Sequence, residues 1–309
     1  MITRSLSWPE LSRRGFLISA AAAGLQPLKG QTGAPACLLA SEQEEGPYYV
    51  DGAKLRRDIT EGKAGVPLTL RVLLIDSKRC APLSNAALDI WHCDAGGVYS
   101  AFESAGGGRG FGRGRGPGGP PPGNGDGPPQ LPPPEMRGFG PGGPPPGGRG
   151  PRVVGSTRFL RGLQMTNAKG LAEFATVYPG WYEGRTIHIH LKVHLGGDHA
   201  EDTYNGGHVC HTGQFFFPED VTERIAKLQP YVKHSAVHRT LQEEDGVFRS
   251  QHGSSSIVQL EKASGASGAE AYVATVTVAV DPDLTPRPVG PGGGRGPGRG
   301  PGGPPPFPR

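Results

Sequence analysis

Two histidines that lie two residues apart are the first candidates for chemistry in this chain. The stretch GWYEGRTIHIHLKV, residues 180–193, places His188 and His190 in a run that otherwise reads as a β-strand. Side chains alternate between the faces of a strand, so both imidazoles point one way while Ile187 and Ile189 point towards the core. Two imidazoles on one face can bind one metal ion, although the pair alone is also typical of a solvent-exposed polar face.

Two tyrosines shift this interpretation towards a metal site. Tyr182 follows a Pro-Gly turn shortly before His188, and Tyr99 follows a Gly-Gly turn at the end of an apolar run. Phenolate oxygen and imidazole nitrogen form a hard, mixed donor set that suits Fe(III). A trivalent cation can hold a phenol deprotonated at neutral pH, by the logic that lowers the pKa of metal-bound water. This donor set therefore points to iron.

The elements around these residues read as short strands separated by turns. Runs of β-branched and aliphatic residues alternate with Gly, Asn, Asp and Pro. The strand-like runs are 66–76, 87–94, 157–167, 170–180, 185–195, 213–218 and 270–281. This rhythm predicts an all-β fold, an antiparallel β-sandwich or barrel. One short helix is predicted after Pro218, where Glu219 and Asp220 favour a helix start.

Two stretches lack the apolar residues that a packed core needs. Residues 106–152 and 283–309 are dominated by Gly, Pro and Arg, so they bury too little apolar area to offset chain entropy. Neither has the strict Gly-X-Y period of collagen. We predict a disordered insertion and a disordered tail on one domain at 37–282. The run GRGFGRGRG resembles RNA-binding segments, but no RNA-binding domain accompanies it, so no nucleic-acid partner is predicted.

Residues 1–30 have the pattern of an export signal. Arg13 and Arg14 precede Phe16 and a short apolar run, which is too short to span a bilayer. This arrangement is typical of a twin-arginine signal. We therefore expect a periplasmic or extracellular protein without a membrane span.

The four cysteines suit an oxidising compartment. They are Cys37, Cys80, Cys93 and Cys210. Outside the cytoplasm an even number permits disulfides, and three pairings are possible. The absence of a C-x-x-C spacing argues against a thiolate zinc site.

Four separated motifs occur in an order that resembles a known family. They are EGPYYVDG (45–52), DIWHCDAGGVYS (89–100), FLRGLQMTNAKGLAEFATVYPGWYEGRTIHIHLKV (159–193) and HTGQFFF (211–217). The sequence resembles the intradiol ring-cleavage dioxygenases, non-haem Fe(III) enzymes related to protocatechuate 3,4-dioxygenase and catechol 1,2-dioxygenase. The resemblance implies that O2 cleaves a catechol-type substrate between its two hydroxyl-bearing carbons, giving a muconate-type dicarboxylic acid.

The resemblance also implies roles for individual residues. One Fe(III) per chain would be held by Tyr99, Tyr182, His188 and His190. Tyr182 would be the ligand that leaves when the substrate chelates, and Arg185 would support the ring-opening rearrangement. Three residues would border the substrate: Pro47, Tyr48 and Gln214. His92 and His211 lie in the motifs without matching ligands, and the substituent on the catechol and the oligomeric state stay open.

Two other classes of protein share parts of these patterns. Sandwich modules of transthyretin type serve as extracellular binding or adhesion domains, but they do not need two tyrosines and two histidines together. Cupin-like metal enzymes also carry His-x-His on a strand and add a Glu and a third His downstream. Here His194 and Glu201 lack the accompanying turn glycines. Tyrosinate bound to Fe(III) is red-brown, so the colour of the purified protein separates the three classes.

Overall fold

Two β-sheets form the domain in the computed structural model, which describes residues 37–103, 153, 155–265 and 268–290. The predicted signal peptide, the predicted insertion and most of the predicted tail lie outside these residues. Within the described part of the chain, no helix is long and apolar enough to cross a membrane.

Nine strands and two short α-helices follow one another in the described residues. They are β1 (Pro67–Asp76), β2 (Ala81–Pro82), β3 (Ala87–Trp91), β4 (Arg161–Met165), β5 (Leu171–Val177), β6 (His188–Ala200), β7 (Thr203–Phe216), α1 (Glu219–Ala226), α2 (Gly246–Ser250), β8 (Gln259–Ser264) and β9 (Glu270–Val280). Two short 3-10 helices lie at Tyr231–His234 and Gly253–Ser256.

The first sheet is built around β1. One edge of β1 pairs with β5 and β2, and the other pairs with β9, which in turn pairs with β8. The β1–β9 pair is parallel and the remaining pairs are antiparallel. The second sheet has the strand order β4-β3-β6-β7 and is antiparallel throughout. The predicted all-β sandwich is confirmed.

The core lies between the two sheets, because alternate residues of each strand face it. Leu70 and Val72 of β1 are fully buried together with Ile90 of β3 and Ile189 and Leu191 of β6. Burying each such side chain contributes about 1.5–3 kcal/mol relative to leaving it exposed. The opposite face of the second sheet is the one that carries His188 and His190.

Some element bounds differ from the sequence prediction. The helix after Pro218 begins at Glu219 as predicted, but α2 and β8 are additional elements. Strand β6 begins at His188, three residues later than the predicted run, because the peptide before it is bound elsewhere. Thr186 N donates to Asp245, and Tyr182 and Arg185 form an isolated bridge around a turn.

An N-terminal strap, residues 37–56, crosses the outer face of the second sheet. Its backbone first bonds Ala279 of β9 in the first sheet, and then Thr212 of β7 and Leu163 of β4 in the second sheet. A disulfide joins Cys37 to Cys80, with the Cα atoms 5.5 Å apart, and so attaches the strap to the turn after β1. Of the pairings left open by the sequence, this is the one formed, while the other two cysteines are buried and free.

Candidate metal centre

The two histidines at the start of β6 lie on the outer face of the second sheet. His188 and His190 are nevertheless only 2% and 0% exposed, because the strap and the loop after β3 cover them. Two polar rings on one face of a strand are thus enclosed rather than solvated. The solvent-exposed polar face considered from the sequence does not occur here.

The four side chains predicted to be ligands converge on one point. His190 Nε2 lies 3.0 Å from His188 Nε2. The phenol oxygens of Tyr182 and Tyr99 lie 3.3 and 3.4 Å from the same atom. One strand, the turn just before it and the distant loop after β3 therefore place four donor atoms together. Their role as ligands stays a prediction that this proximity supports.

Both imidazoles are held in fixed orientations. His188 Nδ1 donates to the carbonyl of Thr186 at 2.6 Å, so its Nε2 presents a lone pair to the cluster. The ring of His190 stacks on Trp91, with centroids 4.9 Å apart and planes 2° from parallel. Gly46 also lies against this ring, and an added Cβ there would be 3.0 Å from His190 Cε1. A glycine is needed there both for space and for its φ of 72°.

Burial sets the protonation states of the cluster. It lowers the pKa of both imidazoles, which are therefore neutral at neutral pH. It raises the pKa of the Tyr99 and Tyr182 phenols, with Arg185 opposing the shift in both. A cation among these oxygens is what would make phenolate stable here. Neutral imidazoles and buried phenols thus fit one hard, highly charged metal ion.

The donor set differs from the commoner kinds of protein metal site. In the described ranges, no group of three or more His, Cys, Asp or Glu side chains is placed to hold a metal ion. The cluster here has only two members of those types, and the other two donors are phenols. Phenolate donors favour hard trivalent cations over the softer metals that thiolates select.

Arg185 is fixed beside the cluster by three polar side chains. Its Nε donates to Asp245 Oδ2 at 3.0 Å, and its Nη1 donates to Glu44 Oε1 at 3.3 Å. Its Nη2 donates to the Gln214 side-chain carbonyl. Only 13% of the side chain is exposed. Arg185 is therefore not a solvent-facing residue of a turn.

The three residues predicted to border a substrate lie in different surroundings. The ring of Tyr48 stacks on Tyr99, with centroids 4.3 Å apart, and meets Tyr182 edge-on at 6.0 Å. Pro47 is exposed beside it. Gln214 is buried, and both ends of its amide are used, since Nε2 donates to a strap carbonyl at 2.8 Å and Oε1 accepts from Arg185.

The two remaining motif histidines lie outside the cluster. His92 is buried, with ring nitrogens 2.8 Å from the carbonyl of Cys93 and 2.8 Å from Thr176 Oγ1. His211 Nδ1 lies 2.5 Å from Glu42 on the strap. Both rings connect neighbouring segments of the chain.

Three residues of the site escape a reading of the sequence: Glu44, Thr186 and Asp245. Glu44 and Asp245 hold Arg185, and the Thr186 carbonyl orients His188. Only Asp245 leaves a local signal, because an Asp before Gly-Val-Phe is a typical N-cap of a helix. Its side chain does cap α2, but nothing local indicates that it also reaches Arg185.

Solved structures of dioxygenases are similar to this chain. An intradiol ring-cleavage dioxygenase from Tetranychus urticae matches it with a TM-score of 0.59 and 27% identity, over 81% of this chain and 98% of that one. A second dioxygenase structure gives 0.58 and 27%, over 80% and 96%. The predicted resemblance to the intradiol ring-cleavage dioxygenases is confirmed. These relatives support the prediction of an enzyme, and the transthyretin-type binding module is not favoured.

A more distant match is the dioxygenase domain of a carbohydrate-binding fusion protein from Streptomyces sp. SirexAA-E. It has a TM-score of 0.44 and 20% identity, over 78% of this chain and 96% of that one. No protein-family model matches the chain, and no curated protein matches it.

Proposed function

We propose that this chain is a non-haem, Fe(III)-dependent intradiol dioxygenase. It cleaves the ring of catechol-type aromatics between the two hydroxyl-bearing carbons with O2 and releases muconate-type dicarboxylic acids. The observation that carries the proposal is the convergence of one buried phenol, one half-buried phenol and two buried imidazoles around His188 Nε2. The ligands of one ion per chain would be Tyr99, Tyr182, His188 and His190.

The iron would supply the Lewis acidity that holds a catecholate and draws electron density from its ring, so that O2 can attack a ring carbon. Phenolate and imidazole donors suit Fe(III), and their burial keeps competing water away. The chain's own residues contribute proton transfer, charge stabilisation and an apolar wall.

Tyr182 is the phenol best placed to take a proton from the substrate. It is half-buried and lies on the turn that ends at Arg185, whereas Tyr99 is 3% exposed and packed against Tyr48. Oη of Tyr182 therefore acts as a general base towards a catechol hydroxyl. Tyr99 keeps its place during the reaction because its ring is covered on the stacked face.

Arg185 supplies positive charge where negative charge develops as the ring opens. A donor fixed before the reaction stabilises such charge without reorganising, which is why fixed donors contribute so much to catalysis. The three side chains around Arg185 provide this fixation. The rings of Tyr48 and Phe102, 5.2 Å apart, form an apolar wall for a planar substrate next to Tyr99.

The proposed location is the periplasm or the cell exterior, reached through a twin-arginine route. Support comes from Arg13 and Arg14 before a short apolar run, and from the Cys37–Cys80 disulfide, since disulfides persist in oxidising compartments. An R13K/R14K variant should accumulate in the cytoplasm. Normal export of that variant would contradict the route.

The metal assignment is tested by replacing single histidines of β6. H188A and H190A should lose the bound iron and the red-brown colour of the purified protein. H194A is the matched control, because His194 lies on the same strand but contacts Tyr204 instead of the cluster. Full iron content in H188A and H190A, measured by elemental analysis, would overturn the assignment.

The reaction is tested by oxygen uptake. The iron-loaded protein should consume O2 with one or more members of a panel of substituted catechols and yield ring-opened dicarboxylic acids. A colourless protein that consumes no O2 with any catechol would favour a binding module.

A further inference from the structure

Asp245 is a buried carboxylate next to the centre to which the proposed reaction gives no role. It is 0% exposed and caps the N-terminus of α2, where Oδ1 accepts from the backbone N–H of Val247 at 2.7 Å. Oδ2 accepts from the backbone N–H of Thr186 at 2.9 Å. The Nε–H of Arg185 faces both oxygens, at 3.2 and 3.0 Å.

Asp245 differs from the other two partners of Arg185. Glu44 lies on the strap, contacts one terminal nitrogen at 3.3 Å, and leaves its second carboxylate oxygen without a partner. Gln214 is neutral and meets the other terminal nitrogen. Asp245 alone meets Nε, the atom nearest the chain, and its own oxygens are anchored by backbone N–H groups. The Asp245 carboxylate therefore fixes the orientation of the guanidinium plane.

We infer that Asp245 is a positioning residue that acts through Arg185, an inference that rests on the proposed function. A guanidinium bound at Nε presents its two terminal nitrogens in one fixed plane, because the group is flat and rigid. Without the carboxylate, the same side chain would turn about its own bonds and meet the reacting substrate in several orientations. Misplacement by about 1 Å costs on the order of 10²-fold in rate.

The centre itself should survive the loss of this carboxylate. Thr186 donates its N–H to Asp245, but it is the Thr186 carbonyl that holds His188. The hydrogen bond between His188 and Thr186 therefore does not use the N–H group that Asp245 accepts from. This separates an effect on Arg185 from an effect on the metal.

The experiment compares D245N with the wild-type holoenzyme. Asparagine keeps a capping oxygen for α2 but turns a donor group towards Arg185. We expect iron content and visible spectrum to stay close to wild type and kcat to fall by about 10- to 100-fold, with KM changing by less than about 3-fold. D245S is a second variant that also retains a cap, in case the asparagine variant folds poorly. V247A is the matched control, since it shortens a buried side chain of the same helix.

A double-mutant cycle with R185A decides between positioning and a general structural role. R185A should lose about 10²–10³-fold in kcat, and adding D245N should change that value by less than about 3-fold. A fully multiplicative effect, iron loss in D245N and D245S, or an equal loss of kcat in V247A would each overturn the inference. A wild-type protein without turnover on any catechol would overturn the proposed function together with it.

Discussion

The two tyrosines of the centre carry the same chemical group in different surroundings. Tyr99 is packed under Tyr48 and behind the strap, and Tyr182 lies half-buried on a turn. Burial raises the pKa of both phenols. The two phenols differ in burial, and this difference is why we propose the proton-accepting role for Tyr182.

The first prediction concerns this assignment. Y182F should still bind iron through the three remaining side chains, but it should lose part of its visible absorption, because one phenolate is missing. Substrate deprotonation should slow by about 10²–10⁴-fold, the usual contribution of one general base. Iron content, absorption spectra and stopped-flow rates check the three statements. R185A is the contrasting variant, which should lose rate and keep its colour, so equal spectral loss in both variants would argue against the assignment.

At the scale of elements, the strap covers the second sheet and also contacts one of the predicted ligands. Gly46 lies against the edge of the His190 ring in the left-handed backbone region, with φ of 72°. Gly52, on the same strap, has φ of 79° but no atom within 4 Å of an added Cβ. Both glycines adopt the left-handed backbone conformation, but only Gly46 contacts a residue of the predicted metal centre.

The second prediction uses this pair. G46A and G52A should each lose about 1–2 kcal/mol of stability, since both force a side chain into the left-handed region. Only G46A should also alter the iron content or the visible spectrum, because its methyl group presses on His190. Chemical denaturation and absorption spectra of both variants provide the comparison. An unchanged spectrum in G46A would mean that the strap moves away from the new methyl group and the His190 ring keeps its position.

The sequence predicts the strands and the ligand cluster better than it predicts their support. Alternating apolar residues mark β1, β3, β5 and β9, and the family motifs mark His188, His190 and the two tyrosines. The support depends on partners that are far apart, since Arg185 lies 60 residues from Asp245 and 141 from Glu44. Local periodicity carries no information on such pairs. The short helix α2 leaves only the local signal of its Asp245 N-cap, because five residues are too few to show a helical period.

At the scale of the whole molecule, the described residues that flank the predicted insertion lie close together. Residues on either side of it are bonded to each other, because Gly155 N donates to the Ala101 carbonyl and Ala101 N donates to Thr157 Oγ1 at 3.0 Å. The base of the insertion is thus closed by the domain itself. A change in the length between these points adds little strain to either sheet.

The third prediction follows from this closed base. Deleting about residues 108–150 and joining the ends with a short linker should leave the fold and the iron content unchanged. The segment has almost no aliphatic residues to add to a core. Circular dichroism and elemental analysis test it, and an unfolded or iron-free product would show that the segment is part of the structure.

The fourth prediction concerns the disulfide that ties down the strap. Cys37 and Cys80 are 43 residues apart, and closing a loop of this length stabilises the fold by roughly 3–4 kcal/mol in chain-entropy terms. C37A/C80A should therefore unfold at a lower urea concentration than the wild type. A reducing agent should lower the wild-type midpoint to the same value and leave the double variant unchanged. A reductant effect on the double variant would point to other groups.

The parallel pairing of β1 with β9 also determines when the first sheet can be completed during synthesis of the chain. The strands that carry His188, His190 and Gln214 have all been made by Phe216, yet β9 reaches β1 only after Val280 has left the ribosome. Until then the nascent chain already contains all four predicted donor side chains, but the apolar side of the first sheet is incomplete. Exposed apolar surface of this kind makes a folding chain prone to aggregate. We therefore expect the proposed iron to be taken up only after β9 has paired with β1 and, on the proposed twin-arginine route, before translocation.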